Sequence, residues 1–363
     1  MNLLSKKVTM QQIADHLGVS KFVVSKALSG KGGVSTAAKE RVLEAAAQLG
    51  YFTQQNGGRL RSKKEDKAAK PSAPRQSVLV LMPNVRYQTM DSTYWGKIID
   101  GISAGLADDQ YGMVILSEQN VDNLRRVLNL DGILGIIGVG VVTSAILLEI
   151  HRLGLPMVLV DHEDALIPAD TLFLNNIDSM NRLTRHLIAI GHRRLQFIGS
   201  VGFSRSFQDR FQGYRAAIEE AGLTLGDEPQ GYLELDGLDH YEDQLAPWLQ
   251  KKREEGELPT ALVCANDSIA IGALIALHQL GIDVPQHVSV TGFDNIEDSA
   301  WTTPPLTTVH VPKEALGRRA VRQLMDRIQA GNEPYEKLLL AGEIVYRGSI
   351  QEGEAAGERG TAR

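Results

Sequence analysis

The run SKFVVSKAL (20–28) carries side chains that could contact a polyanion and read its surface. At 3.6 residues per turn, one face of this segment holds two cations, a hydroxyl and an aromatic ring, from Lys21, Phe22, Ser25 and Lys26. The opposite face is apolar, with Val24, Ala27 and Leu28. A short helix of this kind fits the major groove of DNA, where cations and hydroxyls hydrogen-bond to phosphates and base edges.

The residues before this helix predict a partner helix and a tight turn. Thr9 followed by Gln12 has the spacing of a capping box, which predicts a helix over about 10–17 that stops at Gly18. Ser20 is a second N-cap, so the two helices should cross steeply in a helix-turn-helix.

A third helix is expected between Ser35, its cap, and Gly50, which closes it. Its inner side would carry Val42, Leu43, Ala46 and Leu49. Three short helices around one apolar centre predict an all-α domain over 6–52, near the lower size limit for independent folding.

Charge is distributed unevenly along the 363 residues. Residues 1–70 hold 13 Lys or Arg against 5 Asp or Glu, which gives this segment a net charge of +8. Because the whole chain has a net charge of −6, the remaining residues carry −14. This asymmetry predicts that only the N-terminal segment binds a polyanion. The sequence has a single cysteine, Cys264, and contains no apolar run of membrane length and no signal-peptide core. These features predict a cytoplasmic protein in which the Cys264 thiol is buried.

From Ser77 onward, short apolar runs alternate with helical stretches. The predicted strands are SVLVLM (77–82), MVILS (113–117), GILGII (132–137), PMVLVD (156–161), LQFIG (195–199), ALVCAN (261–266), SVTGF (289–293) and TTVHV (307–311). Helices are expected near 94–110, 121–129, 143–153, 178–190, 208–222, 239–255, 267–280 and 312–330. Continuous apolar strands between helices predict two parallel sheets covered on both faces, with a ligand crevice at the carboxyl ends of the strands.

The predicted organisation is therefore a helix-turn-helix head (6–52), a hinge (53–61), a linker (62–76), an α/β core of two lobes (77–350) and a disordered tail (351–363).

Motifs for catalysis or metal binding do not occur. The glycines of GILGIIGVG lack the G-x-G-x-x-G spacing and are better explained as tight turns, and neither a Walker sequence nor G-x-S-x-G is present. The histidines show no zinc-ligand spacing. The sequence predicts a protein that is not an enzyme and has no metal or cofactor.

Motifs in both halves resemble the LacI/GalR family of transcriptional regulators over roughly 8–350. In the head they are VTMQQIADHLGVSKFVVSKALSG and VSTAAKERVLEAAAQLGY; in the core they are LDGILGI, PMVLVDHED, LIAIGHRRLQFIG, DRFQGYRAAIEEAG, CANDSIAIGAL and VTGFDNIEDSAWTTPPLTTVH. The resemblance implies a DNA-binding head, a hinge and a periplasmic-binding-protein-like core.

By position, the resemblance assigns DNA contacts to Thr9, Ser20, Lys21, Phe22, Ser25 and Lys26. Lysine can donate to guanine O6 and N7 without arginine's bidentate fork, and Phe22 can offer apolar contact to a thymine methyl group. The alternative is that both lysines bind phosphate only and that Phe22 packs within its own domain.

The hinge departs from the family pattern. Thr53 and Gln54 follow Tyr51 at positions where Pro-Asn is common in the family. Residues 57–58 are Gly-Gly, and each glycine destabilises a helix by about 1 kcal/mol relative to alanine. Leu60 keeps the position of the leucine that relatives insert into the minor groove. We expect a hinge that is disordered without DNA and folds reluctantly on it; the alternative is a plain flexible tether.

The resemblance also assigns effector contacts to Arg210, Asn266 and Asp294, with Asp161 a weaker candidate. A guanidinium and a carboxylate can form bidentate bonds to neighbouring hydroxyls. The alternative for Arg210 is a structural ion pair that bridges the lobes. Either aromatic of the adjacent pair Tyr94 and Trp95 could stack on a ligand ring, which favours a carbohydrate, although a nucleobase would also suit.

These features together predict a regulator, expected to be a repressor, that binds a palindromic operator as a homodimer under the control of a small molecule. One alternative keeps the DNA function and makes the co-regulator a protein. Another is a solute-binding protein without DNA function.

Overall fold

A computed structural model describes residues 9–28, 41–42, 45, 76–83, 93–117, 131–226, 228–237, 240–331 and 333–353. The chain divides into two compact units, Met1–Ser72 and Ala73–Arg363. The predicted hinge, the linker, most of the third head helix and the expected helix near 121–129 lie outside the described residues.

The described helices and eight of the described strands fall in the order that the sequence predicts. The helices are α1 Met10–Leu17, α2 Lys21–Leu28, α3 Trp95–Asp108, α4 Ser144–His151, α5 Asn176–Ala189, α6 Arg205–Glu220, α7 Tyr241–Glu255, α8 Asp267–Gln279 and α9 Lys313–Ala330. The strands are β1 Ser77–Leu81, β2 Gly112–Leu116, β3 Ile133–Val139, β4 Met157–Val160, β5 Asp170–Leu174, β6 Leu195–Ile198, β7 Tyr232–Leu233, β8 Ala261–Cys264, β9 Ser289–Thr291, β10 Thr308–His310, β11 Lys337–Leu340 and β12 Glu343–Val345.

The head unit contains the predicted pair of helices. Thr9 and Gln12 form the capping box of α1, and Gly18 ends this helix in the left-handed conformation (φ 66°) that glycine adopts without strain. The Ser20 hydroxyl caps α2 by accepting from the amide of Val23 at 3.4 Å. Both helices pack on one small core, formed by Ile13, Ala14, Val24, Val42 and Ala45.

Lobe 1 of the core unit is a six-stranded parallel sheet in the order β11-β5-β4-β3-β1-β2. Strand β1 shows why its sequence is continuously apolar. Val78 and Val80 pack into one cluster with α3 and α9, and Leu79 and Leu81 pack into another with α4. Both faces of the sheet are thus covered, as parallel sheets require.

Lobe 2 is a four-stranded parallel sheet in the order β7-β6-β8-β9, flanked by α5, α6, α7 and α8. The chain passes between the lobes after β5, between β10 and α9, and between β11 and β12, and β10 pairs antiparallel with β12. This arrangement confirms the predicted fold of a helix-turn-helix head followed by a two-lobed core of parallel sheets.

Four strands, β5, β7, β11 and β12, lie where none was predicted. Strand β5, DTLFL, begins with Asp170, a charged residue that is fully buried. Its carboxylate is satisfied by Arg327, which donates to both oxygens at 2.6 and 2.7 Å from 157 positions away. A partner this distant leaves no local sequence signal.

Candidate functional site

The exposed face of α2 carries the predicted DNA-contacting side chains that can be located. Lys21 and Ser25 are exposed, and Lys26 is half-buried. The side chain of Phe22 lies outside the described part of the chain, as does Leu60. The hydroxyls of Thr9 and Ser20 already act as helix caps, so any phosphate contact must use their remaining hydrogen-bonding capacity.

In the core unit, Arg210 lies at the centre of the candidate pocket. Its side chain is 3% exposed, and its guanidinium donates to Asn176 Oδ1 at 3.0 Å, to the main-chain oxygen of Ala265 at 2.8 Å and to Asp294 Oδ1 at 2.9 Å. The guanidinium carbon lies 3.9 Å from the centroid of the Phe293 ring. These contacts fix the plane of the guanidinium before any ligand arrives.

The ion pair between Arg210 and Asp294 lies within lobe 2. Arg210 stands on α6, and Asp294 follows β9. The alternative in which Arg210 bridges the two lobes through an acid is therefore wrong for this pair.

Asp294 is held in an unusual backbone conformation, with φ of 109°, and Asn295 follows at 49°. Positive φ at two consecutive non-glycine residues is strained and needs support from the surroundings. The ammonium of Lys313, itself 5% exposed, donates to the main-chain oxygens of Asp294, Asn295 and Val311 at 2.5, 3.2 and 3.3 Å. Lys313 is the first residue of α9, so the passage between the lobes stabilises the turn that presents Asp294.

Asp161 follows β4 in lobe 1 and also has a positive φ, 54°. Its carboxylate accepts from the hydroxyl of Ser206 in lobe 2. Burial raises the pKa of Asp161 to about 6, although the Ser206 hydrogen bond and the charge of Arg210 act in the opposite direction.

A continuous chain of hydrogen bonds crosses the cleft. Asp294 accepts from Arg210, Arg210 donates to Asn176, Asn176 Nδ2 donates to Ser206 Oγ at 3.2 Å, and Ser206 donates to Asp161. This chain joins Arg210 and Asp294 of lobe 2 to Asp161 of lobe 1. The two residues that connect them, Asn176 and Ser206, were not predicted from the sequence. Such a network is sensitive to the loss of any member.

The two adjacent aromatic residues, Tyr94 and Trp95, lie in different surroundings. Tyr94 packs against the cores of both lobes, whereas Trp95 packs against the core of lobe 1, with the two rings edge to face at 4.8 Å. Burial raises the pKa of Tyr94 well above its usual value, and the carboxylates of Asp161 and Asp294 add to the effect. Tyr94 therefore lies in the pocket, next to both acids.

Asn266 is the N-cap of α8, and its Oδ1 accepts from the amide of Ile269 at 2.9 Å. Its Nδ2 is the group left for a ligand. The next residue, Asp267, is fully buried and accepts from the Thr308 hydroxyl at 2.5 Å and from the amide of Ile296 at 2.8 Å. Burial raises the pKa of Asp267 to about 7.

Sequence reasoning missed Asn176, Ser206, Phe293 and Lys313 as members of this pocket. Asn176 could have been found if β5 had been recognised, because it then follows a strand at the crevice edge. Ser206 and Lys313 carry no such signal, since their partners Asp161 and Asp294 are far away in the chain.

The described residues contain no group of three or more His, Cys, Asp or Glu that could hold a metal ion. Across the same residues, no helix is both long and apolar enough to cross a membrane. Cys264 is buried, as expected, and burial raises the pKa of its thiol.

Comparisons with known proteins cover almost the whole chain. The family model "Bacterial regulatory proteins, lacI family" matches residues 9–54, and "Periplasmic binding protein-like domain" matches 184–350. The HTH-type transcriptional regulator MalR of Streptomyces coelicolor is 31% identical over 372 residues, which cover 97% of this chain and 98% of that protein. This chain belongs to the LacI family.

The ribose operon repressor of Haemophilus influenzae is 30% identical, covering 94% of this chain and 98% of that protein. Among solved structures, the transcriptional regulator CelR in complex with cellobiose superposes with a TM-score of 0.65 at 22% identity over 94% of this chain and 99% of that chain. The lac repressor dimer bound to operator and an anti-inducer superposes with a TM-score of 0.63 at 22% identity. This superposition covers 95% of this chain and 99% of that chain. These structures support the fold.

Membership in the LacI family makes the protein a DNA-binding transcriptional repressor with an effector-binding domain. It is not an enzyme, since the relatives are regulators. The alternative of a solute-binding protein without DNA function is wrong.

Proposed function

We propose that this LacI-family protein binds a pseudo-palindromic operator as a homodimer and that a neutral sugar or sugar derivative in the interlobe cleft changes its affinity for that operator. The observation that carries the proposal is the hydrogen-bond chain from Asp294 through Arg210 to Asp161. A ligand bound among these groups contacts both lobes and so favours one arrangement of them over another.

The head reads DNA through α2. Lys21, Ser25 and Lys26 contact base edges or phosphates in the major groove, Thr9 and Ser20 contact the backbone, and Phe22 supplies apolar contact. Leu60, within the proposed hinge at 53–61, inserts into the minor groove. A single head makes too few base contacts to select one site in a genome, which is why two heads must act together.

In the cleft, Arg210 and Asp294 hold two neighbouring hydroxyls of the ligand, and Asn266 donates to a third. Asp161 accepts from a hydroxyl on the opposite side. Tyr94 packs against the ring of the ligand, while Trp95 supports Tyr94 from the core of lobe 1.

The charges of the pocket favour a neutral ligand. Three buried carboxyl groups, Asp161, Asp267 and Asp294, face two buried cations, Arg210 and Lys313. A phosphate or carboxylate ligand would add negative charge to a site that already holds more acids than bases, and burying it would be costly. The many donors and acceptors instead suit hydroxyl groups.

Two rival effectors remain to be tested. A nucleobase could occupy the same pocket, because Tyr94 can stack on a base and Asp294 can accept from its N–H groups. A protein co-regulator would bind elsewhere and leave the cleft pocket without a ligand.

Fluorescence anisotropy with labelled fragments from around the gene of this protein tests operator binding directly. We expect a specific complex at moderate salt that a cleft ligand weakens or strengthens. The ligand screen follows the intrinsic tryptophan fluorescence with neutral sugars, phosphorylated sugars and nucleobases in parallel. Failure to find any specifically bound fragment would refute the operator proposal, and a response confined to phosphorylated sugars or bases would refute the neutral-sugar assignment.

A further inference from the structure

The side chain of Asn295 helps to hold the turn that presents Asp294. Its Oδ1 accepts from the guanidinium of Arg347 at 2.6 Å and from the Ser299 hydroxyl at 3.4 Å. Its Nδ2 lies 3.1 Å from Nδ1 of His310. Because φ of Asn295 is 49°, these side-chain contacts support a backbone conformation that non-glycine residues rarely adopt.

The contacts of Asn295 determine the protonation state of His310. A guanidinium has only donors, so the amide oxygen of Asn295 must face Arg347 and its NH₂ group must face the imidazole. This NH₂ group donates, and Nδ1 of His310 can accept only when it carries no proton. The arrangement therefore requires a neutral ring with its proton on Nε2.

The ring lies close to the residues that form the cleft pocket. Asp294 and His310 form a parallel β-bridge, and the amide of Asp294 donates to the main-chain oxygen of Val309 at 2.9 Å. The carboxylate of Asp294 is in turn bonded to Arg210. Asn295 is thus the direct link between the imidazole and the turn that carries this carboxylate.

Charged groups on the neighbouring elements act on the proton of His310. They are Lys313 and Glu314 of α9, Glu343 of β12, Arg347 next to Asn295, and Arg182 of α5, which donates to the main chain beside Glu343. Burial and the charge of Lys313 lower the pKa of His310, while Glu343 and Glu314 act in the opposite direction.

Protonation would reverse the contact between the two side chains. An imidazolium donates from both nitrogens, so its Nδ1–H would meet the NH₂ group of Asn295, donor against donor. The loss of one such hydrogen bond changes an equilibrium about three- to tenfold. The ammonium of Lys313 still donates to the main chain of the turn, so the turn is weakened and not lost.

We propose that His310 is a positioning residue for the cleft pocket and makes this pocket sensitive to pH. The neutral ring holds Asn295 and, through it, the turn that presents Asp294, whereas the protonated ring releases them. This inference rests on the effector site proposed for the cleft, and it adds the proton as a second input to that site.

Two variants separate the role of the ring nitrogen from the loss of a histidine. In His310→Asn, the side-chain Oδ1 takes the place of Nδ1 and accepts from Asn295 at every pH. The control is His151→Asn, because His151 is exposed at the end of α4 and lies in lobe 1. Thermal melting first shows that both variants are folded.

The protonation state is read by NMR of the full-length protein with ¹⁵N-labelled histidine. The signal that disappears in His310→Asn is that of His310. We expect the tautomer with the proton on Nε2 at about pH 8 and a titration midpoint below the usual 6.5. A proton on Nδ1 at about pH 8 would overturn the proposal, and this measurement needs only the wild type to be folded once the signal is assigned.

Hydrogen exchange read by mass spectrometry follows the turn itself through peptides that cover 289–301. After correction for intrinsic exchange, we expect protection in the wild type to fall about three- to tenfold more than in His310→Asn between about pH 8 and about pH 5.5. His151→Asn should behave as the wild type. Asp161 and Asp267 titrate in the same range, but they are present in all three proteins and cancel in the comparison.

Coincident pH profiles of the wild type and His310→Asn would overturn the proposal. So would a loss of protection in His310→Asn that is the same at both pH values, because the ring would then matter for packing and not as an acceptor. Neither measurement uses an effector. Failure of the effector proposal would appear separately, as an operator affinity that no cleft ligand alters.

Discussion

The two lobes contribute to the cleft in different ways. In lobe 2, Arg210, Asp294 and Asn266 are held by partners within the same lobe or by Lys313 at the passage between the lobes. In lobe 1, the carboxylate of Asp161 accepts from Ser206, which belongs to the opposite lobe. Lobe 2 is thus a pre-organised half of the site, and lobe 1 adds Asp161 through a contact between the lobes. We propose that pre-organisation on one side reduces the entropy cost of binding and leaves closure of the lobes as the step that a ligand controls.

The largest expected effect comes from breaking the pre-organised half. Arg210→Ala leaves the Asp294 carboxylate buried without its cation, which should lower the free energy of unfolding by about 4 kcal/mol and weaken ligand binding at least about 100-fold. Urea denaturation and ligand titration by fluorescence measure the two losses. Arg215→Ala on the same helix, where the exposed Arg215 pairs with Glu219, is the control and should change neither by more than about 0.5 kcal/mol. Near-normal ligand affinity in Arg210→Ala would show that lobe 2 is not the anchoring half.

The next effect concerns pH and Asp161. Because its pKa is raised from 3.8 to about 6 in the folded protein, the folded state holds the proton more tightly than the unfolded state. The contribution of Asp161 to stability is therefore fully present below about pH 4 and is lost as the pH rises through about 6, a difference of about 3 kcal/mol. Asp161→Asn should remove this part of the profile, so its stability relative to wild type should rise between pH 4 and pH 7.

Unfolding curves of both proteins across this range provide the measurement. Asp267 titrates in an overlapping range, with its pKa raised to about 7, but it is present in both proteins and cancels in the difference. A difference that does not vary with pH would mean that Asp161 is not buried by closure.

Lys313→Met should have a smaller effect on stability. It leaves the main-chain oxygens of Asp294, Asn295 and Val311 without their donor, at about 2 kcal/mol, and releases the strained turn that presents Asp294. Lys97→Met removes an exposed lysine 3.7 Å from Glu314 and should be nearly neutral. If Lys313→Met retains full ligand affinity, the turn does not need its ammonium to position Asp294.

Ser206→Ala is the mildest change and isolates closure. It removes the hydrogen bond between the lobes and leaves the Asp161 carboxylate without that donor, while the contacts of Arg210 and Asp294 remain, so ligand affinity should fall about tenfold and the free energy of unfolding should fall by about 1 kcal/mol. The exposed Ser268→Ala serves as the control. A stability loss as large as that of Arg210→Ala would show that the Ser206 contact holds the fold together instead of controlling closure.

The sequence predicted the polar groups that follow apolar strands, but not the residues that hold those groups in place. Asp294 and Asn266 follow β9 and β8, whose apolar runs are unmistakable, so their place at the crevice could be inferred. Ser206 and Lys313 could not be found from the sequence, because tertiary packing alone brings them to their partners. Ser206 contacts Asp161, 45 positions away, and Lys313 contacts the main chain of Asp294, 19 positions away. Strand β5 was missed for the same reason, since Arg327 compensates the charge of Asp170 from across the chain.

Linkage between ligand and operator tests the central claim most directly. The measurement is the dissociation constant of the operator with and without the sugar found in the fluorescence screen, together with that of the sugar with and without operator. If the ligand acts by closing the lobes, both constants change by the same factor, and Ser206→Ala reduces that factor. A sugar that binds in the cleft and leaves operator affinity unchanged would contradict the account.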